Sequence, residues 1–362
     1  MKVAIIHYWL INIRGGEKVI KALLEMFPDA DIFTHVYDPK AVSSLIKNNK
    51  VYTSRINRLP FSKNIYQLYM PLMPKALLDF NLQKYDFVIS SESGPSKGVV
   101  PNPDAFHICY CHSPMRYLWD MYHDYLEKAN VFVRFFMKRL IPGLRLWDAV
   151  SSNLVDYFIA NSVYVSKRIK RYYNRDAVII YPPVDIEKYK PTIRQPSDYY
   201  LFFGQITGYK RADIAIEACI KSGRKLIIAG AGKKNIHKYK NTNLITFKGR
   251  ISDDEIFDLY ARTKALLFPG IEDFGIIPVE AQAAGCPVIA YRGGGALETI
   301  KDGVTGIFFN EQTPESLITA LDYFEKNFNT PDRDVFNEHV QKFSTDTFKE
   351  KFQNVLNERK RI

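Results

Sequence analysis

Short apolar runs alternate with segments of helical periodicity along the whole chain. VAIIHYWL reads as a β-strand, and EKVIKALLEMF after it repeats its apolar positions at the spacing of a helix face. DFVISSES, FHICYCHS, YFIANS and AVIIYPPVD continue the strand series. YYLFFGQ, RKLIIAGAG, NLITFKG, ALLFPG and PVIAYRGGG form a second series, with ADIAIEACIKSG, DDEIFDLYARTK and PVEAQAAG between them as helices. This alternation predicts parallel sheets covered on both faces, and two series need two sheets. The stretch from Glu187 to Asp198 is polar, holds two prolines and has no periodicity, which places the boundary there. The expected domains are residues 1–186 and 187–343, with a closing amphipathic helix over about 344–362. The fold class is α/β, two doubly wound domains facing across a cleft. Ligands of such sheets bind at the carboxyl ends of the strands.

Composition narrows this further. The 362 residues are 46% hydrophobic and 25% charged, which excludes a disordered chain, a fibre and a disulfide-stapled miniprotein. No stretch reaches the roughly 18 uncharged apolar residues of a membrane-spanning helix. The N-terminal apolar run lacks a small-residue cleavage site and reads as a first strand rather than a signal peptide. Cys109, Cys111, Cys219 and Cys286 sit in apolar segments without a disulfide framework, so a reducing cytoplasm is expected. The net charge of +11 is uneven: residues 1–195 hold 27 basic and 17 acidic side chains, the remainder 23 and 22. A basic first half suits an anionic partner, although a lysine-decorated solvated surface gives the same count.

The chemistry concentrates in the turns after strands. In ALLFPGIEDFGIIPVEAQAAGCPVIAYRGGG a strand ends near Phe268, a loop carries Glu272 and Asp273, and a helix follows with Pro278 near its start and Gly285 past its end. Free amides at that helix start, near Phe274, Gly275 and Ile276, suit a phosphate. Glu272 and Glu280, eight residues apart, can accept hydrogen bonds from sugar hydroxyls. Equally, acids merely favour a helix N-terminus, at about 0.3–1 kcal/mol each. Asp273-Phe274-Gly275 spells a kinase triplet but lacks the accompanying kinase motifs. FFGQITGYKRADIAIEA puts Lys210 and Arg211 at a strand-to-helix turn, where cations oppose the helix dipole and suit a diphosphate instead. Arg14-Gly15-Gly16-Glu17 follows the first strand, and paired glycines allow close backbone approach.

His107, Cys109 and Cys111 alternate along a strand. They span about 13 Å, too far to hold one ion together, so no metal site is expected and the cysteines read as small buried hydrophobes. His112 at the strand end is different and should face a ligand. AGAGKKN lacks the third glycine of a dinucleotide fingerprint at Asn235, and no G-x-S-x-G is present.

Taken together, these segments resemble the family-four retaining glycosyltransferases of the GT-B fold. The most specific element is the Glu-x7-Glu motif, EDFGIIPVE. RGGEKV, CHSPMRYLWDMYHDYL, IANSVYVSKRIKRYY, IIYPPVD and GYKRADIAIEA are similar to bacterial O-antigen mannosyltransferases. The resemblance implies that the closing helix returns to the first domain and that no metal cofactor is needed. It also implies donor-binding residues: Gly15 and Gly16 against the diphosphate, Lys210 neutralising it, Glu272 on the transferred sugar with Phe274, Gly275 and Ile276 nearby, and Glu280 on the ribose. His112 would lie against the transferred sugar, making His112, Lys210 and Glu272 the catalytic set. Gln205 stands where many relatives carry arginine, and Arg211 could compensate. Arg250 and Ile251 lie near the nucleotide base. The implied reaction is retaining transfer of mannose from GDP-mannose to a lipid-diphosphate-linked glycan. A UDP-hexose donor is the alternative of the same class, and a non-catalytic polyanion-binding protein that of another class; nucleic acid is not expected. The location would be cytoplasmic and peripheral at an anionic inner-membrane surface. FVRFFMKRLIPGLRLW, with Arg134, Lys138, Arg139 and Arg145 among aromatics, fits an interfacial segment and an amphipathic core helix equally.

Overall fold

The computed structural model describes residues 1–46, 48–232 and 242–359. Asn235 and the last three residues of the tail therefore lie outside the described residues. The chain divides into two compact units, Met1–Pro182 with the tail from Lys351, and Pro183–Glu350.

The first unit holds β1 (Val3–His7), β2 (Asp31–Thr34), β3 (Val51–Thr53), β4 (Phe87–Glu92), β5 (Phe106–Cys111), β6 (Tyr157–Ala160) and β7 (Ala177–Ile179). They form one parallel sheet in the order β3-β2-β1-β4-β5-β6-β7. β1 and β4 are buried along their whole length, as befits parallel strands covered on both faces. The second unit holds β8 (Tyr200–Phe203), β9 (Leu226–Ala229), β10 (Ile245–Gly249), β11 (Leu266–Phe268), β12 (Val288–Tyr291) and β13 (Gly306–Phe309). Its parallel order is β10-β9-β8-β11-β12-β13. Both units are thus Rossmann-like, and each sheet reverses its strand order once, between β1 and β4 and between β8 and β11.

The break between the units falls after Pro182, a few residues before the expected 186/187 boundary. The polar stretch is no free linker. The Val184 amide donates to the Phe343 carbonyl, the Arg194 guanidinium donates to the carbonyls of Tyr260, Thr263 and Lys264, and Arg333 donates to those of Tyr189 and Thr192. These bonds strap residues 184–194 to the second unit. Composition alone hides this, because the straps come from one backbone amide and two long side chains. The tail helix Thr345–Arg359 crosses from one unit to the other in sequence, and Lys351 lies over the ring of Tyr181 in the first.

One buried charge network fixes the first sheet's edge of ligand-facing ends. Lys97, Glu92 and Asp148 are all fully buried. Lys97 Nζ lies 3.4 Å from Glu92 Oε1, is paired with Asp148, and sits 4.5 Å from the centroid of the Tyr173 ring. Asp148 also accepts from the Trp119 indole at 2.7 Å and the Tyr173 hydroxyl at 2.9 Å. Burial opposes the ammonium, but Asp148 and Glu92 outweigh it and hold it charged. The network ties the helix Val131–Ser151 to the end of β4.

Candidate functional site

In the second unit, the crevice at the strand-order reversal gathers residues from the loops after β8 and β11. Lys210 ends the turn after β8, and its Nζ lies 2.8 Å from Glu272 Oε1 on the loop after β11. Both side chains are mostly buried, at 12% and 19% exposure. Burial is the largest single influence and opposes the Lys210 charge, yet Glu272, Tyr209 and Glu280 together outweigh it and raise the pKa above the ordinary lysine value. Close packing sets this geometry. A Cβ on Gly270 would fall 2.6 Å from the Lys210 Cα, and one on Gly294 would fall 2.5 Å from the Glu272 carbonyl oxygen. The Gly295 amide donates to that same carbonyl, and a Cβ there would collide with the Phe274 backbone. Gly294 and Gly295 therefore cradle the acidic loop, a role their reading as a strand end did not reveal.

The helix Ile276–Ala283 begins beyond Gly275, whose φ of 92° is the left-handed cap that favours glycine. Pro278 lies in its first turn, and Gly285, φ 75°, ends it. Phe274 is buried edge-on against Phe343, which keeps its ring in the core. Glu280 lies on this helix, 6% exposed, and accepts from the hydroxyl of Tyr189. Burial and Glu280 both raise the tyrosine's pKa. Tyr189 went unremarked in sequence because it lies in the polar stretch. Gln205 is exposed just past β8. Arg211 adopts φ 52° and pairs with Asp213 at 3.1 Å, so its charge is shared rather than directed at the turn alone. Arg250 is exposed and Ile251 half-buried after edge strand β10, following Gly249 at φ 69°.

In the first unit, the reversal between β1 and β4 gathers a second set. Gly15 and Gly16 open the helix Gly15–Met26 as helical residues rather than as a loop. A Cβ on Gly16 would lie 2.6 Å from Tyr8 Oη, 3.5 Å from the His7 ring and 3.7 Å from His112 Nε2. His7 closes β1 and is paired in register with Ser91 on β4. His7 Nδ1 lies 3.0 Å from Ser91 Oγ, and that hydroxyl lies 2.8 Å from His112 Nε2. Glu17 Oε1 stands 3.5 Å from His7 Nε2, while its Oε2 accepts from the Arg14 amide at 2.8 Å. Burial, with His7 beside it, lowers the His112 pKa to about 3, which keeps the ring neutral. The sequence pointed to His112, Gly15 and Gly16, but not to His7 or Ser91, which reach them only through strand register; Glu17 follows Gly16 on the helix, and its spacing did not show that it meets His7.

His107 is engaged elsewhere: its ring nitrogens lie 2.7 Å from the Leu154 carbonyl and 2.9 Å from Ser90 Oγ. Cys109 and Cys111 are buried against Phe158, Val165 and Ile169, the small-hydrophobe role expected of them.

Residues 13–188 match the family described as Glycosyltransferase Family 4, and residues 184–343 that described as Glycosyl transferases group 1. The chain belongs to the group 1 and family 4 glycosyltransferases. Among these glycosyltransferases it is 32% identical over 133 residues to an uncharacterized glycosyltransferase of Methanocaldococcus jannaschii, covering 34% of each chain. It is 27% identical over 201 residues to D-inositol 3-phosphate glycosyltransferase of Streptomyces bingchenggensis, 46% of this chain and 44% of that one. It is also 27% identical over 228 residues to human alpha-1,3/1,6-mannosyltransferase ALG2, 52% and 55%. The matched stretch thus spans from about a third to about half the length of these relatives. Anabaena HepE in complex with UDP and glucose shares the fold at a TM-score of 0.69 and 17% identity, covering 99% of both chains. The sucrose-phosphate synthase of Thermosynechococcus elongatus does so at 0.73 and 14%, with the same coverage. The common architecture is the GT-B fold of two Rossmann-like domains.

Proposed function

We propose that the chain transfers a hexose from a nucleotide sugar, with retention at the anomeric carbon, and that the donor is GDP-mannose. The Lys210–Glu272 pair at the strand-order reversal carries this reading. It sets a cation for a diphosphate beside a carboxylate for sugar hydroxyls, at the place where this fold class takes its ligands. In this reading Lys210 turns to the diphosphate and Glu272, freed of it, accepts from the sugar, with the amides of Phe274, Gly275 and Ile276 alongside. Glu280 accepts from the ribose, Arg250 and Ile251 border the base, and Gln205 and Arg211 flank the phosphates. In the first unit, the amides of Gly15 and Gly16 donate to phosphate and neutral His112 touches the transferred sugar.

The acceptor oxygen forms its bond to the anomeric carbon on the face from which the diphosphate oxygen departs. The acceptor hydroxyl's proton passes to that phosphate oxygen, and the nucleoside diphosphate leaves. Catalysis comes from positioning and from charge stabilisation by Lys210. The likeness to alpha-1,3/1,6-mannosyltransferase supports mannose. The HepE structures in complex with UDP and UDP-glucose favour a second reading, a UDP-hexose donor. A thermal-shift panel of nucleotide sugars decides between them: a ligand at 100 times its Kd adds about 2.7 kcal/mol. GDP-mannose should stand out; UDP-glucose standing out moves the reading to the second donor, and no response to any overturns it.

The acceptor is read as a glycan on a lipid diphosphate at the cytoplasmic face of an anionic membrane. Among the described residues no helix is long and apolar enough to cross a membrane. The helix Val131–Ser151 instead packs Ile141 inward and exposes Phe132 at 79%, Phe135 at 66% and Phe136 at 57%. Lys138 and Arg139 are exposed beside them. Arg145 departs from its expected place in that set, since it donates to the Leu118 carbonyl and lies over the Tyr122 ring. An aromatic face with flanking cations suits anionic headgroups.

A further inference from the structure

We infer that Glu17, His7 and Ser91 form a positioning chain that holds the His112 imidazole with its proton on Nε2 and keeps Nδ1 as a hydrogen-bond acceptor. The chain runs across three strand ends: His7 closes β1, Ser91 lies beside it on β4, and His112 follows β5. His7 and Glu17 are both buried, with side-chain exposures of 0% and 3%. On a His7 ring that carries one proton, the carboxylate 3.5 Å away repels a lone pair, so that proton belongs on Nε2.

The rest follows by counting protons. His7 Nδ1 is then an acceptor and takes the Ser91 hydroxyl proton over 3.0 Å. A serine has one such proton to give. Ser91 Oγ therefore accepts from His112 over 2.8 Å, which puts the His112 proton on Nε2. No hydrogen bond among the described residues engages His112 Nδ1, which is left with its lone pair. Glu17 can play this part because its other oxygen is occupied by the Arg14 amide, which fixes the carboxylate's rotation.

Glu17→Gln tests the chain by reversing it. The amide oxygen can keep the Arg14 bond while the amide nitrogen donates to His7 Nε2. His7 must then carry its proton on Nδ1, Ser91 must donate to His112, and His112 must take its proton on Nδ1. Protein labelled with nitrogen-15 at histidine, free of ligand, reports the protonated nitrogen through long-range proton–nitrogen correlations, with His112→Gln assigning the signal. The expected result is Nε2–H on His112 in the parent protein, Nδ1–H in Glu17→Gln, and no response to Glu17→Gln once Ser91→Ala has cut the chain. Ser91→Thr keeps the hydroxyl and should keep the parental form. A parental His112 with its proton on Nδ1, or a folded Glu17→Gln protein whose His112 is unchanged, overturns the chain.

The kinetic consequence rests on the reading of His112 as the group that touches the sugar. Glu17→Gln should then lower kcat about tenfold to a hundredfold with KM for the nucleotide sugar unchanged, as when a group that orients a ligand's partner is altered. A flipped tautomer with unchanged kcat leaves the chain standing and removes His112 from the sugar.

Discussion

Lys210 and Glu272 neutralise one another across the point where the second sheet reverses its strand order, 2.8 Å apart and mostly shielded from water. A ligand diphosphate competes with Glu272 for the same ammonium. Lys210→Ala removes the charge stabilisation and should slow transfer by about a hundredfold or more, measured as kcat at saturating donor. Near-parental turnover places the diphosphate elsewhere.

Glu280 gives a separable prediction. Glu280→Ala should weaken nucleotide-sugar affinity in titration calorimetry, and Tyr189→Phe should do so less, because the phenylalanine keeps the packing and loses only the hydroxyl bonded to Glu280. Unchanged affinity in Glu280→Ala removes the ribose from that carboxylate.

Two glycines differ in what their replacement meets. A Cβ on Gly16 meets Tyr8 Oη at 2.6 Å, and a Cβ on Gly230 meets the Gly204 carbonyl oxygen at 1.9 Å. The first neighbour is the end of a side chain, the second is backbone. Gly16→Ala should lower activity and be rescued in part by adding Tyr8→Phe. Gly230→Ala, at φ 130°, should destabilise by about 3 kcal/mol in denaturant unfolding with no side-chain rescue. Equal rescue at both positions contradicts the packing described.

Acid should weaken the first unit through its buried histidines. Burial pushes His35 and His107 down to about 4, and the hydrogen bonds to the Pro95 and Leu154 carbonyls offset this only in part. The unfolded chain binds a proton below about pH 6.5 and the folded chain does not until about pH 4. Stability from these groups is therefore complete above pH 6.5 and is lost as pH falls toward 4, on the order of 3 kcal/mol for each. Melting followed between pH 4 and 7 should show that slope, and His107→Gln should flatten it.

The exposed aromatics of the helix Val131–Ser151 predict surface binding. Phe132→Glu with Phe135→Glu should reduce sedimentation with vesicles containing anionic phospholipid, while turnover on a soluble acceptor stays at the parental level. Unaltered sedimentation excludes this face.

Much of the fold was legible because its signals are local. β1 and β8 are largely apolar runs, β4 opens on one, and the helix after Gly275 carries its own proline and glycine punctuation. β2 and β3 were missed, being four and three residues long with no alternation to betray them. The acidic loop and Lys210 were legible as motifs. The partners Tyr189, Ser91 and His7 were not, since what recruits them is strand register and a strapped segment, neither of which leaves a mark in spacing. The buried Lys97 was invisible for the same reason: its counter-charges lie 5 and 51 residues away.

Gly294 and Gly295 press directly on the backbone of the acidic loop, at Glu272 and Phe274. That loop is consequently cast when the sheet folds and has little freedom left to surrender. A guest arriving there meets a finished mould, so the entropy of shaping it is charged to folding rather than to association. Enlarging either glycine should loosen the mould first and the sheet only afterwards.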